Sequence, residues 1–199
     1  MPEHVKTPDP ARRSERSRQA ILTAATELVS EVGYQKLTIE GVASRAGVGK
    51  QTIYRWWPDK GAVVLDAYLA LTNADAGLSF PTSDNLETDL QLVLKSTVAQ
   101  LEDVSFARFY RSLLTAIQND EKLSQQLNER LMGPWLEATK ERLRVAARAG
   151  EIADVDLDAA VDLFYGSFYY RWLLRTGPLT DAYCDSVIKL LLRALSLGS

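Results

Sequence analysis

The chain has 199 residues, 46% of them apolar and 25% charged, and its 23 basic and 26 acidic side chains leave a net charge of −3. That composition is close to the globular average. The single cysteine, Cys184, and the single histidine, His4, exclude an internal disulfide scaffold, Cys-based zinc sites and Ser-His-Asp or Cys-His catalysis. No metal or other cofactor is expected, and no enzymatic activity. No apolar run approaches the ~18 residues of a membrane span, and MPEHVKTPDPARRSERSR lacks the apolar stretch of a signal peptide, so a cytoplasmic protein without membrane partners is the expectation.

Charge is uneven along the chain. Residues 1–60 hold 10 basic and 7 acidic side chains, whereas residues 61–199 hold 13 and 19. The early surplus permits a polyanionic partner at that end.

Residues 1–14, with Pro2, Pro8 and Pro10 and few large apolar groups, read as a disordered arm. A helix follows, because Ile21, Ala24, Ala25, Leu28, Val29 and Val32 fall on one stripe, and Gly33 stops it. Arg12, Arg13, Arg16 and Arg18 crowd its N-terminal approach, where positive charge opposes the helix dipole. Thr38 is placed to cap a short second helix with Ile39, Val42, Ala43 and Ala46 inward. Gly47 breaks that helix, and a third spans residues 49–56. Pro58 opens a fourth, from Asp59 to Gly77, and residues 78–85 read as a linker.

Further helices are expected at 86–102, 105–119, 121–149 (kinked at Gly133-Pro134), from Asp156 or Asp158 to Arg175, and from Thr180 or Asp181 to Leu197. No segment alternates in the manner of a strand. The expectation is an all-α protein of about nine helices, with a helix-turn-helix unit over 15–62 and a larger helical domain over 63–199.

Two short helices joined by Ala46-Gly47-Val48 form a helix-turn-helix. In that geometry the helix from Gly49 to Trp56 enters the DNA major groove. Its outward residues are Lys50, Gln51, Thr52, Tyr54 and Arg55. Lysine, glutamine and threonine hydrogen-bond base edges or phosphates. The Tyr54 hydroxyl suits a phosphate, and its ring equally suits a core. Lys60, in the first turn of the next helix, and Thr38, at the start of the scaffold helix, sit where free backbone N–H groups favour phosphate.

The stretch TIEGVASRAGVGKQTIYRWWPDKGAVVLDAY, Thr38–Tyr68, closely resembles the DNA-binding region of the TetR family of bacterial transcriptional regulators. Ala43, Ala46-Gly47-Val48, Thr52-Ile53-Tyr54, the pair Trp56-Trp57 and Lys60 carry the match, together with Ala24-Ala25, Leu28, Gly33-Tyr34 and Thr38 before them. The resemblance covers residues 15–65. It implies a dimeric repressor that binds a palindromic operator and releases it when a small-molecule effector binds. By the same resemblance Thr38, Lys50, Gln51, Thr52, Tyr54, Arg55 and Lys60 touch DNA, Trp56 faces phosphate and Trp57 packs inward. The stretch Gly150–Tyr183 looks like the end of one branch of the family.

The helix from Asp158 to Arg175 is apolar on more than one side, so it is either central or shared with a partner. Tyr170, Trp172 and Leu174, with Val187, Leu191 and Leu195 of the last helix, are the expected homodimer interface. Six of the seventeen aromatics lie between Phe164 and Trp172, which makes a pocket there as natural as plain packing. The candidate effector pocket is Phe106, Phe109, Tyr110, Trp135, Phe164, Tyr165 and Phe168, for an apolar or aromatic ligand. An all-α small-molecule-binding protein or enzyme using that cavity is the competing reading.

Overall fold

In the computed structural model, which describes residues 10–72 and 80–196, the chain divides into two compact units. One comprises residues 1–75 with 108–126, the other 76–107 with 127–199. Among the described residues there is no strand, and no helix is long and apolar enough to cross a membrane.

The first unit is built on α1 (Pro10–Val32), α2 (Ile39–Ala46), α3 (Lys50–Tyr54) and α4 (Lys60–Thr72). The predicted arm falls outside the described residues up to residue 9. From Pro10 the chain is already helical, because proline suits a first helical turn and Ala11, Arg12 and Arg13 are good helix formers. Of the predicted α1 stripe, Ile21, Ala24, Ala25 and Val29 are buried and Leu28 is half-buried, whereas Val32, at the helix end, is 45% exposed and Leu22, outside the predicted stripe, is buried. Gly33, at φ 80°, turns the chain into a single 3-10 turn, Tyr34–Lys36. Buried Ala62, Val63, Val64, Leu65 and Ala67 of α4 complete the core.

α4 packs with α1 and lies within the first unit. The last ten residues of α6 (Val104–Ile117) and all of α7 (Glu121–Leu127) except Leu127 also belong to this unit. The Tyr68 ring of α4 stacks on Tyr110 and Phe109, centroids 5.4 and 6.2 Å away. The Tyr34 backbone N–H donates to Ser112 Oγ at 2.8 Å, and its hydroxyl donates to Asp120 at 3.0 Å. Burial and the Asp120 carboxylate together push the Tyr34 phenol well above its ordinary value.

The second unit holds α5 (Leu86–Glu102), the start of α6, α8 (Gly133–Arg148), α9 (Leu157–Leu174) and α10 (Asp181–Leu195). A π turn, Asn128–Met132, joins α7 to α8 without a break. The ten α-helices of the described residues therefore form nine continuous runs. Asn85, Asp156 and Thr180 cap α5, α9 and α10 by accepting from backbone N–H groups. The described part of the predicted linker, Phe80–Asn85, is non-helical yet fastened down. Phe80 is buried 5.9 Å from the Trp135 ring, and the Ser83 N–H donates to the Asp89 carboxylate. Asp89 in turn accepts from Arg142 Nε at 2.6 Å, and both side chains are 2% exposed.

Candidate nucleic-acid interface

The turn between α2 and α3 is set by backbone geometry. Gly47 is left-handed at φ 66°, ψ 33°, a region costly for a residue with a Cβ. Its N–H reaches Ser44 O at 3.3 Å and the Val48 N–H reaches Ala43 O at 3.0 Å, the paired bonds of a Schellman stop. Thr38 caps the other end of α2, its Oγ1 accepting from the Gly41 N–H at 3.0 Å. The hydroxyl is exposed, so capping leaves it within reach of a partner.

α3 is anchored from beneath. Ile53 is fully buried and Trp57 is 3% exposed. The Trp57 indole N–H donates to Asp66 of α4 at 2.7 Å, which satisfies the one polar group of the buried ring. The opposite face looks outward: Lys50, Gln51, Tyr54, Arg55 and Trp56 are exposed and Thr52 is half-buried. Tyr54 at 54% and Trp56 at 41% are among the most exposed large aromatics of the chain. Lys50 Nζ pairs with Glu40 Oε1 at 2.9 Å. That bond holds the start of α3 against the first turn of α2, two residues from Thr38. Seven of the eight predicted contact residues thus share the surface around α3.

Lys60 is engaged within its own chain. Its ammonium donates to the backbone oxygens of Tyr34 at 3.1 Å and Leu37 at 3.4 Å and lies 4.4 Å from the Tyr34 ring centroid. It braces the turn that delivers Thr38. The cause is that two carbonyls and an aromatic face converge on the first turn of α4, a long-range arrangement no local pattern encodes. Glu40 and Asp66, which position Lys50 and Trp57, escaped the sequence reading for the same reason.

The proposed pocket residues fall in both units. Phe109 and Tyr110 belong to the first unit, the other five to the second. Phe164 and Phe168 are 1% exposed, and Tyr165 lies between them, centroids 4.7 and 6.2 Å away. The Tyr165 hydroxyl shares a hydrogen bond with Thr139 Oγ1 at 2.9 Å. Phe106 and Trp135 are half-buried. In the first unit an open groove of about 390 Å³ runs between the end of α1 and α6, walled by Val29, Tyr34, Arg108 and Ala116, and none of the seven lines it.

The proposed interface residues also divide. Tyr170 and Leu174 are 62% and 61% exposed, whereas Trp172 and Val187 are half-buried. Leu191 and Leu195 are buried in the core of their own chain, a correction to the expected interface. The outward large apolar residue of α10 is Leu190, 64% exposed; on α9, Leu163 and Leu173 are also exposed.

Known proteins match this arrangement along most of the chain. The family model for bacterial regulatory proteins of the tetR family matches residues 21–67, and that for the tetracyclin repressor-like C-terminal domain matches residues 80–191. An uncharacterised HTH-type transcriptional regulator of Bacillus subtilis, YdeS, is 32% identical over 88% of each chain. The DNA-binding transcriptional repressor TetR of Mycobacteroides abscessus is 30% identical over 91% of this chain and 96% of its own. The crystal structure of the TetR family transcription regulator SCO0332 superposes with a TM-score of 0.70 at 32% identity, covering 92% of this chain and all of that one.

Proposed function

The chain belongs to the TetR family of bacterial transcriptional regulators, and from that premise we propose that it works as a homodimer that grips a two-fold symmetric operator and lets go when a small molecule binds. The observation that carries the reading is the two-faced α3: Ile53 and Trp57 locked beneath, Lys50, Gln51, Tyr54 and Arg55 presented above.

Gln51, Lys50 and Thr52, near the start of α3, address base edges. Arg55, Tyr54, Trp56 and Thr38 engage the flanking phosphates. Lys60 contributes by holding the Tyr34–Leu37 turn. One α3 reads few base pairs, so a second copy in the next major groove, about 34–36 Å away, supplies the rest. Exposed Leu163, Tyr170, Leu173 and Leu174 of α9, with Leu190 of α10, form the surface that pairs the two copies.

An apolar or aromatic effector enters the second unit near Trp135, Tyr165 and Phe168. A regulator of this fold from Bacillus subtilis, FadR, 22% identical, was solved in complex with stearoyl-CoA. Effector binding shifts the protein toward a conformation with weaker DNA affinity, a coupling of about 1–3 kcal/mol in typical cases. α6 runs from the second unit into the first, where Ser112 holds the Tyr34 N–H.

A gel shift with the DNA upstream of its own gene tests the proposal. The protein retards that DNA, less so at high salt, and Tyr54→Ala lowers its affinity. Equal binding by wild type and Tyr54→Ala removes α3 from the interface.

A further inference from the structure

The recognition surface leaves unexplained the arginines that open α1. Residues 12–20 of that helix contribute no buried side chain, and its core stripe starts at Ile21. About two and a half turns at 3.6 residues each therefore lie at the margin of the core, with Ser14, Ser17, Arg18 and Ala20 half-buried on the inner side. Arg12, Arg13 and Arg16 are exposed there. Spaced three and four residues apart, they share one face. The first turn holds no acidic residue, and cations at this end oppose the helix dipole. These arginines serve neither packing nor helix stability.

They do dominate the charge. Residues 10–20 hold four arginines against Glu15, net +3, whereas residues 21–60 hold five basic and four acidic side chains, net +1. Of those five, Arg45 is paired with Glu27 and Glu31, Lys50 with Glu40, and Lys60 is turned onto backbone oxygens. Binding to duplex DNA depends heavily on neutralised phosphates, and the helix-turn-helix by itself brings little unengaged charge to them.

The position is right as well. Arg18 Nη2 lies 3.8 Å from the Asp66 carboxylate that also holds the Trp57 indole at 2.7 Å. Trp57 follows exposed Trp56 at the end of α3. Arg18, in the same stretch of α1 as the three exposed arginines, is thus linked through Asp66 to the end of the recognition helix.

We infer that the Arg12–Arg13–Arg16 face of α1 is a second DNA-contact surface, seated on the sugar-phosphate backbone that flanks the base pairs addressed by α3. The guanidinium fork matches phosphate oxygens two at a time. The inference rests on the DNA-binding reading above and extends its footprint outward.

Because backbone contacts ignore sequence, a mixed-sequence duplex serves as the probe. Its affinity is followed by fluorescence anisotropy across a salt titration for wild type, for R12A/R13A/R16A and for R12K/R13K/R16K. The alanine variant loses about 0.9 in the slope of log affinity against log salt for each phosphate contact removed, about 2–3 per protomer, and binds at least about tenfold more weakly at low salt. The lysine variant keeps most of the slope, and both retain the wild-type thermal midpoint because nothing buried has changed. An unchanged slope and affinity in the alanine variant, with wild type binding normally, overturns this inference and leaves α3 as the reader. Failure of wild type to bind either this duplex or the DNA upstream of its gene overturns the underlying reading instead.

Discussion

Asp89 and Arg142 show what one side chain can decide. Both are buried, 2.6 Å apart, and Asp89 also accepts from the Ser83 backbone N–H. Burial by itself raises the Asp89 pKa, but the Arg142 guanidinium and Ser83 outweigh it and hold the carboxyl below its ordinary value. A folded-state pKa below the unfolded one contributes stability at neutral pH, and that contribution fades as pH falls below about 4. Arg142→Ala strands a buried carboxylate and costs about 3–5 kcal/mol, read as a drop in the urea midpoint at pH 7. Asp89→Asn removes the charge, so its deficit against wild type at pH 7 shrinks as pH is lowered toward 3. A deficit independent of pH contradicts this account of the pair. The bond was illegible in the sequence because its partners lie 53 residues apart. The Thr38 cap and the left-handed Gly47 were legible, because each is a local backbone requirement with few residue solutions.

Among the elements, α3, expected over 49–56, spans Lys50–Tyr54, and its neighbours constrain it on both sides. The bounds of α9 were legible too, but which of its apolar sides its own chain covers was not, and the reason is its composition. Apolar residues occur all around it, so periodicity says that more than one side needs cover without saying which side its own chain supplies. The structure resolves this: Val161, Phe164 and Phe168 face inward, whereas Leu163, Tyr170 and Leu174 face out. α10 had a single clear stripe, Ile188, Leu191 and Leu195, and that stripe is the subunit core. The outward-facing Leu190 lay between stripe positions and was passed over. Two substitutions separate the roles. Leu174→Glu with Leu190→Glu yields a folded monomer by light scattering, since charge is placed on an exposed apolar surface. Leu191→Ala leaves the oligomeric state unchanged and costs about 2–5 kcal/mol by opening a cavity. A dimer that survives the double glutamate variant removes this surface from the interface. The kink or break expected at Gly133-Pro134 is met by a π turn ending at Met132, with the helix continuous through it, and a Cβ on Gly133 would lie 2.9 Å from the Asn128 carbonyl oxygen. Proline is tolerated because it falls in the first turn of α8.

At the scale of the whole molecule, the nine helical runs and the order of the two functional regions follow from patterning along the chain. Membership of the first unit does not. Residues 108–126 join it through the Tyr34–Ser112 and Tyr34–Asp120 hydrogen bonds, the Lys122–Asp59 pair and the Tyr68 stack. Each of these spans dozens of residues, beyond the reach of periodicity. The charge asymmetry, the arginines at the start of α1 and the apolar stripe from Ile21 were visible in the sequence, but the exposure of Arg12, Arg13 and Arg16 was not. The proposed function requires a molecule that presents α3 to duplex DNA twice, about one helical turn apart. Selection from a pool of randomised duplexes tests that directly. Wild-type protein enriches a two-fold symmetric sequence with half-sites separated by about 10 base pairs or a multiple, and Gln51→Ala changes the preferred bases inside each half-site without changing the spacing. A pool that remains random after repeated rounds with folded, dimeric protein contradicts the assignment of α3 as the reader of DNA.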